Sequence, residues 1–597
     1  MIAFDGFKGQ RQRPASWAWT HLSKLALLFL ALALPIPGMC ADHCDQLRDA
    51  YYAASSHGNP VSPHDLGTWL INSQEFQCAL LVSLRDLKED PSSWIANYNA
   101  GIASFRLGNL DAAKRYLGAA TSIAPSQLSS CLALGQLEEK MNHNDKAEET
   151  YRSGLAIHPE QPDLLRSLAS LLDKEKRYHS AIYLWNRCLA QSPKDSSVVV
   201  SIAAAYSDSG DQENALNTIQ RLLKDDPTYE PAFYTLGTAY AREDDFAPAA
   251  SAYESALKLD PQDGVAQLSL GKVYLTLLRW DDAHKLMLDY IKTHQNDADA
   301  FLILGRSSQY LGDLDGAESF LRKSVSCDPH SYDARYHLGI TLLSLGKIDD
   351  AIASFESALD IRPESVESHF QLSKAYRRKG EAKLSDEQTA IADQLRKADS
   401  DKIRATVLSE QGSSALALDK TDDAISDYTE ALKIEPRNAK LYYDLSLAYR
   451  KRGDASDEFD SLRKAESYDP TLAAVHNQLG VHYSEANDQN SAQDEFLKAL
   501  SAQPEFTDAL NNLGVLLARR GSIESAEKLI RRAIESDSTS AQGHINLGLI
   551  LAIKGDFQQA IQEENDALHL SPANPTVLAA KNQIEAMLQR KLPAKIP

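Results

Sequence analysis

Between residues 60 and 574 apolar side chains recur at three- and four-residue intervals. They form two short runs with polar residues between them, and the pair of runs repeats every 34 residues. That spacing places the apolar positions on one face of a helix. Each repeat therefore predicts two amphipathic helices of about 14 residues, each about 21 Å long. No stretch alternates strictly between apolar and polar, as a half-buried strand would.

The prolines fix the phase. Pro91, Pro125, Pro159, Pro193, Pro227 and Pro261 lie 34 residues apart. Gln295 takes the next step, and Pro329 and Pro363 resume the series. After a five-residue insertion it restarts at Pro436, Pro470 and Pro504, skips at Ser538 and returns at Pro572. With the proline as position 32, fifteen units begin at residues 60, 94, 128, 162, 196, 230, 264, 298, 332, 366, 405, 439, 473, 507 and 541. Position 8 is always Gly, Ala or Ser, and position 20 is Ala in 13 of the 15 units. Position 24 is often large, as in Tyr151, Trp185, Tyr253, Phe355, Tyr428 and Phe496. The small residue at 8, facing Ala at 20, is expected to let the two helices approach closely. Gly at position 15 predicts a left-handed end to helix A, and Pro at 32 ends helix B. One pair cannot bury both faces, whereas stacked pairs can, so the period implies a solenoid and not a string of separate domains.

The unit YDARYHLGITLLSLGKIDDAIASFESALDIRPES at 332–365 closely resembles the tetratricopeptide repeat, and the resemblance spans residues 60–574. It implies an all-α, right-handed superhelix of about fifteen helix-turn-helix repeats. It further implies a concave groove lined by helix A that binds protein or peptide, with no chemistry and no cofactor of its own.

The flanks depart from the pattern. Basic residues precede the apolar run from Leu25 to Leu34, and Pro35, Pro37, Gly38, Cys40 and Ala41 follow. This order reads as a signal peptide over residues 1–41, giving a periplasmic or extracellular protein. The alternative is an uncleaved membrane anchor, although the run is about half the roughly 20 residues that span a bilayer. Residues 42–59 are expected to cap the first repeat and 575–597 to supply a final capping helix and tail. Residues 381–404 divide the series into arrays at 60–380 and 405–574. They read as a lengthened helix or a helix plus linker, either a hinge or a duplication scar.

Composition narrows the partners. The 597 residues carry 62 Lys and Arg against 83 Asp and Glu, a net charge of −21, which argues against a nucleic-acid binder. No phosphate loop, dinucleotide-binding turn or HExxH motif occurs, and the His residues are scattered, with His476 and His482 reading as packing or surface. The chain is therefore read as a non-enzyme without a metal. In the expected groove, position 5 carries Tyr98, Tyr234, Tyr336, Phe370 and Tyr443, either an aromatic stripe or packing between units. Position 6, where some family members carry an asparagine ladder, holds Asn99, Asn512 and Asn546. Positions 12–14 carry Arg377, Arg378, Arg450, Lys451, Arg519 and Arg520, either a basic rim for an acidic partner or cations offsetting helix dipoles. Export would permit a Cys44–Cys78 disulfide, the alternative being two free thiols. The remaining readings are a substrate-recruiting arm of an enzyme complex and an anionic-polymer or membrane-surface binder acting through the basic rim.

Overall fold

A computed structural model describes residues 43–49, 51, 63–572 and 574–591. The expected signal segment, residues 1–41, lies outside them. All regular structure among the described residues is helical, from Pro63–Asn72 through to Pro575–Lys591. No helix among them is long and apolar enough to cross a membrane. The chain divides into two compact units at Val198/Val199, and each is described by itself. Both are series of antiparallel helix pairs in which each pair packs on the next.

The pair Tyr332–Ser344 and Ile348–Ile361 shows how the repeat folds. Ser331 starts helix A by accepting a hydrogen bond from the Ala334 amide at 3.3 Å. Gly346 at position 15, with φ +77°, turns the chain between the helices. All fifteen units take a left-handed residue at this position. Eight are Gly, and the others are Gln74, Asn142, Lys176, Asp244, Leu278, Asp419 and Asn487. Helix B then ends before the proline. In several units an Asp at position 31 closes the turn, as Asp469 does by accepting from the Thr471 amide at 2.8 Å.

The close approach of helices A and B differs from the sequence expectation. The small residue at position 8 faces the large side chain at 24, while Ala at 20 is buried beside it. A Cβ on Gly339 would stand 2.6 Å from Phe355 Cε1, and one on Gly135 2.3 Å from Tyr151 Cε1. The same pairing recurs at Gly237 with Tyr253, Gly412 with Tyr428 and Gly480 with Phe496. The glycine is thus a seat for a ring, which is why the column of small residues accompanies a column of large ones.

At the N-terminal end, residues 43–49 are helical and Cys44 is disulfide-bonded to Cys78, with a Cα–Cα distance of 5.2 Å. The sequence separation is 34, one repeat length, so Cys44 holds the helix-B register one repeat ahead of Cys78. Cys44, Leu66, Leu70, Cys78, Ala79 and Ala103 form the core there.

Residues 381–404 contain no linker. Ala382–Ala417 is one continuous helix of 36 residues that serves as helix B of unit ten and helix A of unit eleven.

Candidate functional site

Several polar side chains on the stacked faces hold neighbouring units together. In several units a polar side chain at position 4 of helix A donates to the carbonyl at position 32 of the preceding unit. Asn97 does so to Pro91 at 3.2 Å, Gln267 to Pro261 at 2.8 Å, Arg335 to Pro329 at 2.7 Å and His369 to Pro363 at 2.9 Å. His476 repeats this contact with Pro470 at 2.8 Å. In units four and fourteen, where position 4 is leucine, an arginine at position 26 takes over. Arg187 reaches the Pro159 carbonyl, and Arg532 reaches that of Pro504 at 3.0 Å. A carbonyl left unpaired at a helix end costs about 1–3 kcal/mol, and this column supplies the donor. It went unread in the sequence because its members share no residue type.

The histidines in this column meet carboxylates. His476 Nδ1 lies 2.7 Å from Glu495, and the two side chains are 3% and 8% exposed. With Nε2 on the Pro470 carbonyl, both ring nitrogens face acceptors, which calls for the imidazolium. The bond to Glu495 accordingly raises the His476 pKa against the opposing effect of burial. Burial pushes the Glu495 carboxyl up, but bonds from His476 and Lys498 outweigh it and leave it lowered. Glu466, His476 and Glu495 bring ligand-type atoms within 4.8 Å of one another, as do His544, Glu563 and Asp566. In the first group Lys498, 2.8 Å from Glu495, already supplies positive charge. His482 stacks on Phe459, 4.7 Å between centroids, as a packing residue does.

The asparagines of position 6 fall into two situations. Asn99 is 1% exposed and bonds to Thr68 at 3.2 Å. Asn512 and Asn546 are half-buried and link successive units. Asn512 Nδ2 donates to Asn477 Oδ1 at 3.0 Å, and Asn546 Nδ2 points at Asn511 Oδ1 at 3.5 Å. The partners, Asn477 and Asn511, occupy position 5 and were not singled out in the sequence.

The position-5 aromatics are set into the stack. Tyr98 lies beside Trp94, 6.2 Å between centroids, Tyr234 beside Tyr253 at 5.6 Å and Tyr336 beside Tyr332 at 5.8 Å. Tyr443 packs against the Leu462–Val475–Leu479 core. Burial raises the hydroxyl pKa of Tyr98, Tyr336 and Tyr443. Phe370, 38% exposed, lies under Lys374, 4.2 Å from its ring centroid. No two of the five rings pair with each other among the described ring contacts.

The cations of positions 12–14 turn toward helix ends. Arg378 donates to the Leu343 carbonyl at 2.8 Å and Lys451 to the Leu416 carbonyl at 2.7 Å. Arg242 does the same to Ser207 at 2.7 Å. In each case a position-13 cation caps position 12 of the preceding unit. Arg450 pairs with Glu458 at 3.2 Å and Glu485 at 2.7 Å. Arg520 reaches Gln489 at 3.2 Å and also bonds Asn490 and Gln493. Arg377 and Arg519 are exposed.

Comparison with known proteins follows the same register. Tetratricopeptide repeat models match residues 96–127, 240–306 and 132–196, 201–264, 309–366, 336–385, 409–472, 477–541 and 523–575. Among solved structures, Cut9–Hcn1 of the APC/C hetero-tetramer is 14% identical, covering 90% of this chain and 98% of that one, with a TM-score of 0.35. Yeast Tom70 is 19% identical over 72% of this chain and 96% of that one, TM-score 0.29. YrrB, described as a repeat protein with an unusual peptide-binding site, is 23% identical over 31% of this chain and 95% of that one, TM-score 0.29. With family matches from residue 96 to 575 in phase with the observed helix pairs, the chain belongs to the tetratricopeptide repeat family.

Proposed function

We propose that this protein is an exported scaffold that holds segments of partner proteins against the helix-A surface of its last repeats, without chemistry of its own. The amide relay Asn477–Asn512, continued by Asn511 and Asn546, carries the reading. Each primary amide has two N–H donors and an acceptor oxygen. The bond between units uses one donor of Asn512 and fixes the side chain. The remaining N–H and oxygen can then pair with a peptide backbone at low entropic cost. YrrB, among the similar structures, is a peptide-binding repeat protein. Export is supported by the N-terminal apolar run and by the Cys44–Cys78 disulfide, a bond that persists in oxidising compartments. The basic-rim alternative finds less support, since a polyanion would have to displace Arg378 and Lys451 from the carbonyls they cap.

Crosslinking pull-down from the native host, comparing the natural protein with N512A/N546A, tests the site. Loss of a specific partner is expected, and an unchanged partner set overturns the assignment to these amides. Fusion of residues 1–60 to a phosphatase that is active only after export tests the compartment, and an inactive fusion overturns it.

A further inference from the structure

One edge of the second compact unit departs from the polar character of the repeat turns. At position 15, fourteen units place Gly, Asn, Asp, Gln or Lys in the left-handed turn, whereas unit seven places Leu278 there. Leu278 adopts φ +59° and is 66% exposed. A leucine gains nothing from that backbone conformation, which crowds its Cβ against the following carbonyl, and its side chain is not buried in return. Two residues on, Trp280 stacks face to face with Tyr310 of the next unit, with centroids 3.8 Å apart and planes 2° from parallel. Tyr310 is itself 59% exposed and Leu311 beside it 43%. The stack ties Trp280 at one turn to Tyr310 at the next, with Leu278 and Leu311 exposed in the same two turns. The left-handed turn is common to every unit, but an exposed leucine in it is particular to this one, and clustered exposed apolar area is the mark of an interaction surface.

The surroundings specify the occupant. The turn segments 243–248, 277–282 and 311–316 carry seven carboxylates and one cation, Arg279. Arg279 is already paired with Glu254 at 3.1 Å and Asp282 at 2.7 Å. Asp244, Asp281 and Asp315 are exposed in these three turns. Charge complementarity at a rim steers partners and fixes register, while the apolar centre supplies anchoring.

We propose that the turn edge of units seven and eight, centred on Leu278, Trp280 and Tyr310, docks a cationic protein segment whose apolar residues seat between lysines or arginines. This surface is separate from the helix-A amides of the last repeats, so the two assignments fail independently.

The test is a fluorescence-anisotropy titration of the full purified protein with two labelled amphipathic peptides, one of Lys and Leu and the other of Glu and Leu. The Lys/Leu peptide is expected to bind, more weakly at high salt, and the Glu/Leu peptide is not. L278G and Y310S should each weaken Lys/Leu binding at least tenfold. L278G should also melt no lower than the natural protein, because eight units already hold Gly at this turn. A leucine of purely structural use would instead lower the melting temperature and leave binding alone. The proposal is overturned by unchanged affinity in L278G, by equal binding of the two peptides, or by absence of Lys/Leu binding to the natural protein.

Discussion

Two glycines to alanine test the seat that position 8 provides for position 24. Gly118 lies inside the helix Leu110–Ile123 and Gly339 inside Tyr332–Ser344. Alanine in a helix interior is favoured over glycine by about 0.5–1 kcal/mol, a gain common to both sites. A Cβ on Gly118 meets nothing within 4 Å, so G118A should stabilise by that amount. A Cβ on Gly339 would stand 2.6, 2.7 and 2.9 Å from three carbons of the Phe355 ring. Ordinary carbon contacts are about 3.5–4.0 Å, so the ring must retreat by about 1 Å. Phe355 is 0% exposed and enclosed in a core with Leu338, Leu342 and Leu372. Overpacking of this kind costs about 1–3 kcal/mol, which exceeds the helix gain and makes G339A destabilising. Stacked repeats open locally and need not unfold in one step, so amide hydrogen exchange over residues 332–361 is the appropriate measurement. Phe355→Ala provides a cycle. Alone it should cost about 3–5 kcal/mol, and the added Cβ of G339A should then be neutral or favourable, a coupling of about 0.5–3 kcal/mol. If G339A protects its helix pair as G118A does, the ring is not seated on the glycine and the reasoning fails.

Other outcomes follow from the same geometry. The His476 pKa is raised by its bond to Glu495 from a usual 6.5, so the protonated pair contributes fully below that pH and the contribution fades as pH rises through the folded value. Exchange protection of residues 473–502 should therefore fall on the alkaline side, and H476Q should flatten the dependence while keeping the carbonyl bond that Gln267 makes in unit seven. Reduction of Cys44–Cys78, which closes a 34-residue separation, should remove about 3–4 kcal/mol from the first repeat in the chain-entropy account. The reduced protein should become susceptible to proteolysis around residues 63–89, and an unchanged cleavage rate would count against that role. R378A and K451A should each cost about 0.3–1 kcal/mol, read by exchange at the helix ends they cap. A partner lost in either variant, with stability unchanged, would return these cations to a binding rim.

The repeat period, the two helices per unit and the turn at position 15 were legible because each rests on local chemistry. Proline stops a helix everywhere but in its first turn, and the fifteen left-handed residues follow the column that glycine marks in eight units. What faces what was less legible. Ala at 20 and Gly at 8 looked like partners because both are small, but a small residue leaves room for a large one. In the folded unit Phe355 fills the space over Gly339. The position-4 donors were hidden for a different reason. Asn97, Gln267, Arg335 and His476 share a task and no side-chain chemistry beyond an N–H, so the column carries no residue signature. For the position-5 rings and the rim cations, the sequence supplied two readings each. Tyr98, Tyr234 and Tyr336 now sit against neighbouring rings, and Arg378 and Lys451 sit on carbonyls.

The interruption at the long helix shows why an array stops where it does. Position 3 of helix A is buried against the preceding unit from Ala96 and Ser130 through to Val475 and Ala509, but in unit eleven Val407 is 45% exposed. Position 28 of helix B, apolar in most units, is the exposed Asp393 in unit ten. Position 7, leucine in most helices A, is the exposed Gln411 in unit eleven, and position 10 is the exposed Ser414. The polar residues stand where stacking would need apolar ones, so the tenth and eleventh units present solvated faces, as terminal repeats do. Nothing between them stops a helix. Where twelve units have proline at position 32, unit ten has Lys397, and residues 382–417 contain one glycine, near the end, and no proline. The backbone therefore continues as helix through residues 396–404, all exposed, and joins the two faces by a single helix. An isolated helical turn gains nothing from packing, so its persistence here rests on good helix formers and on its two anchored ends, Ala392 and Ala405, each 1% exposed. The continuous hydrogen-bonded backbone makes this stretch a spacer that holds the tenth and eleventh units apart.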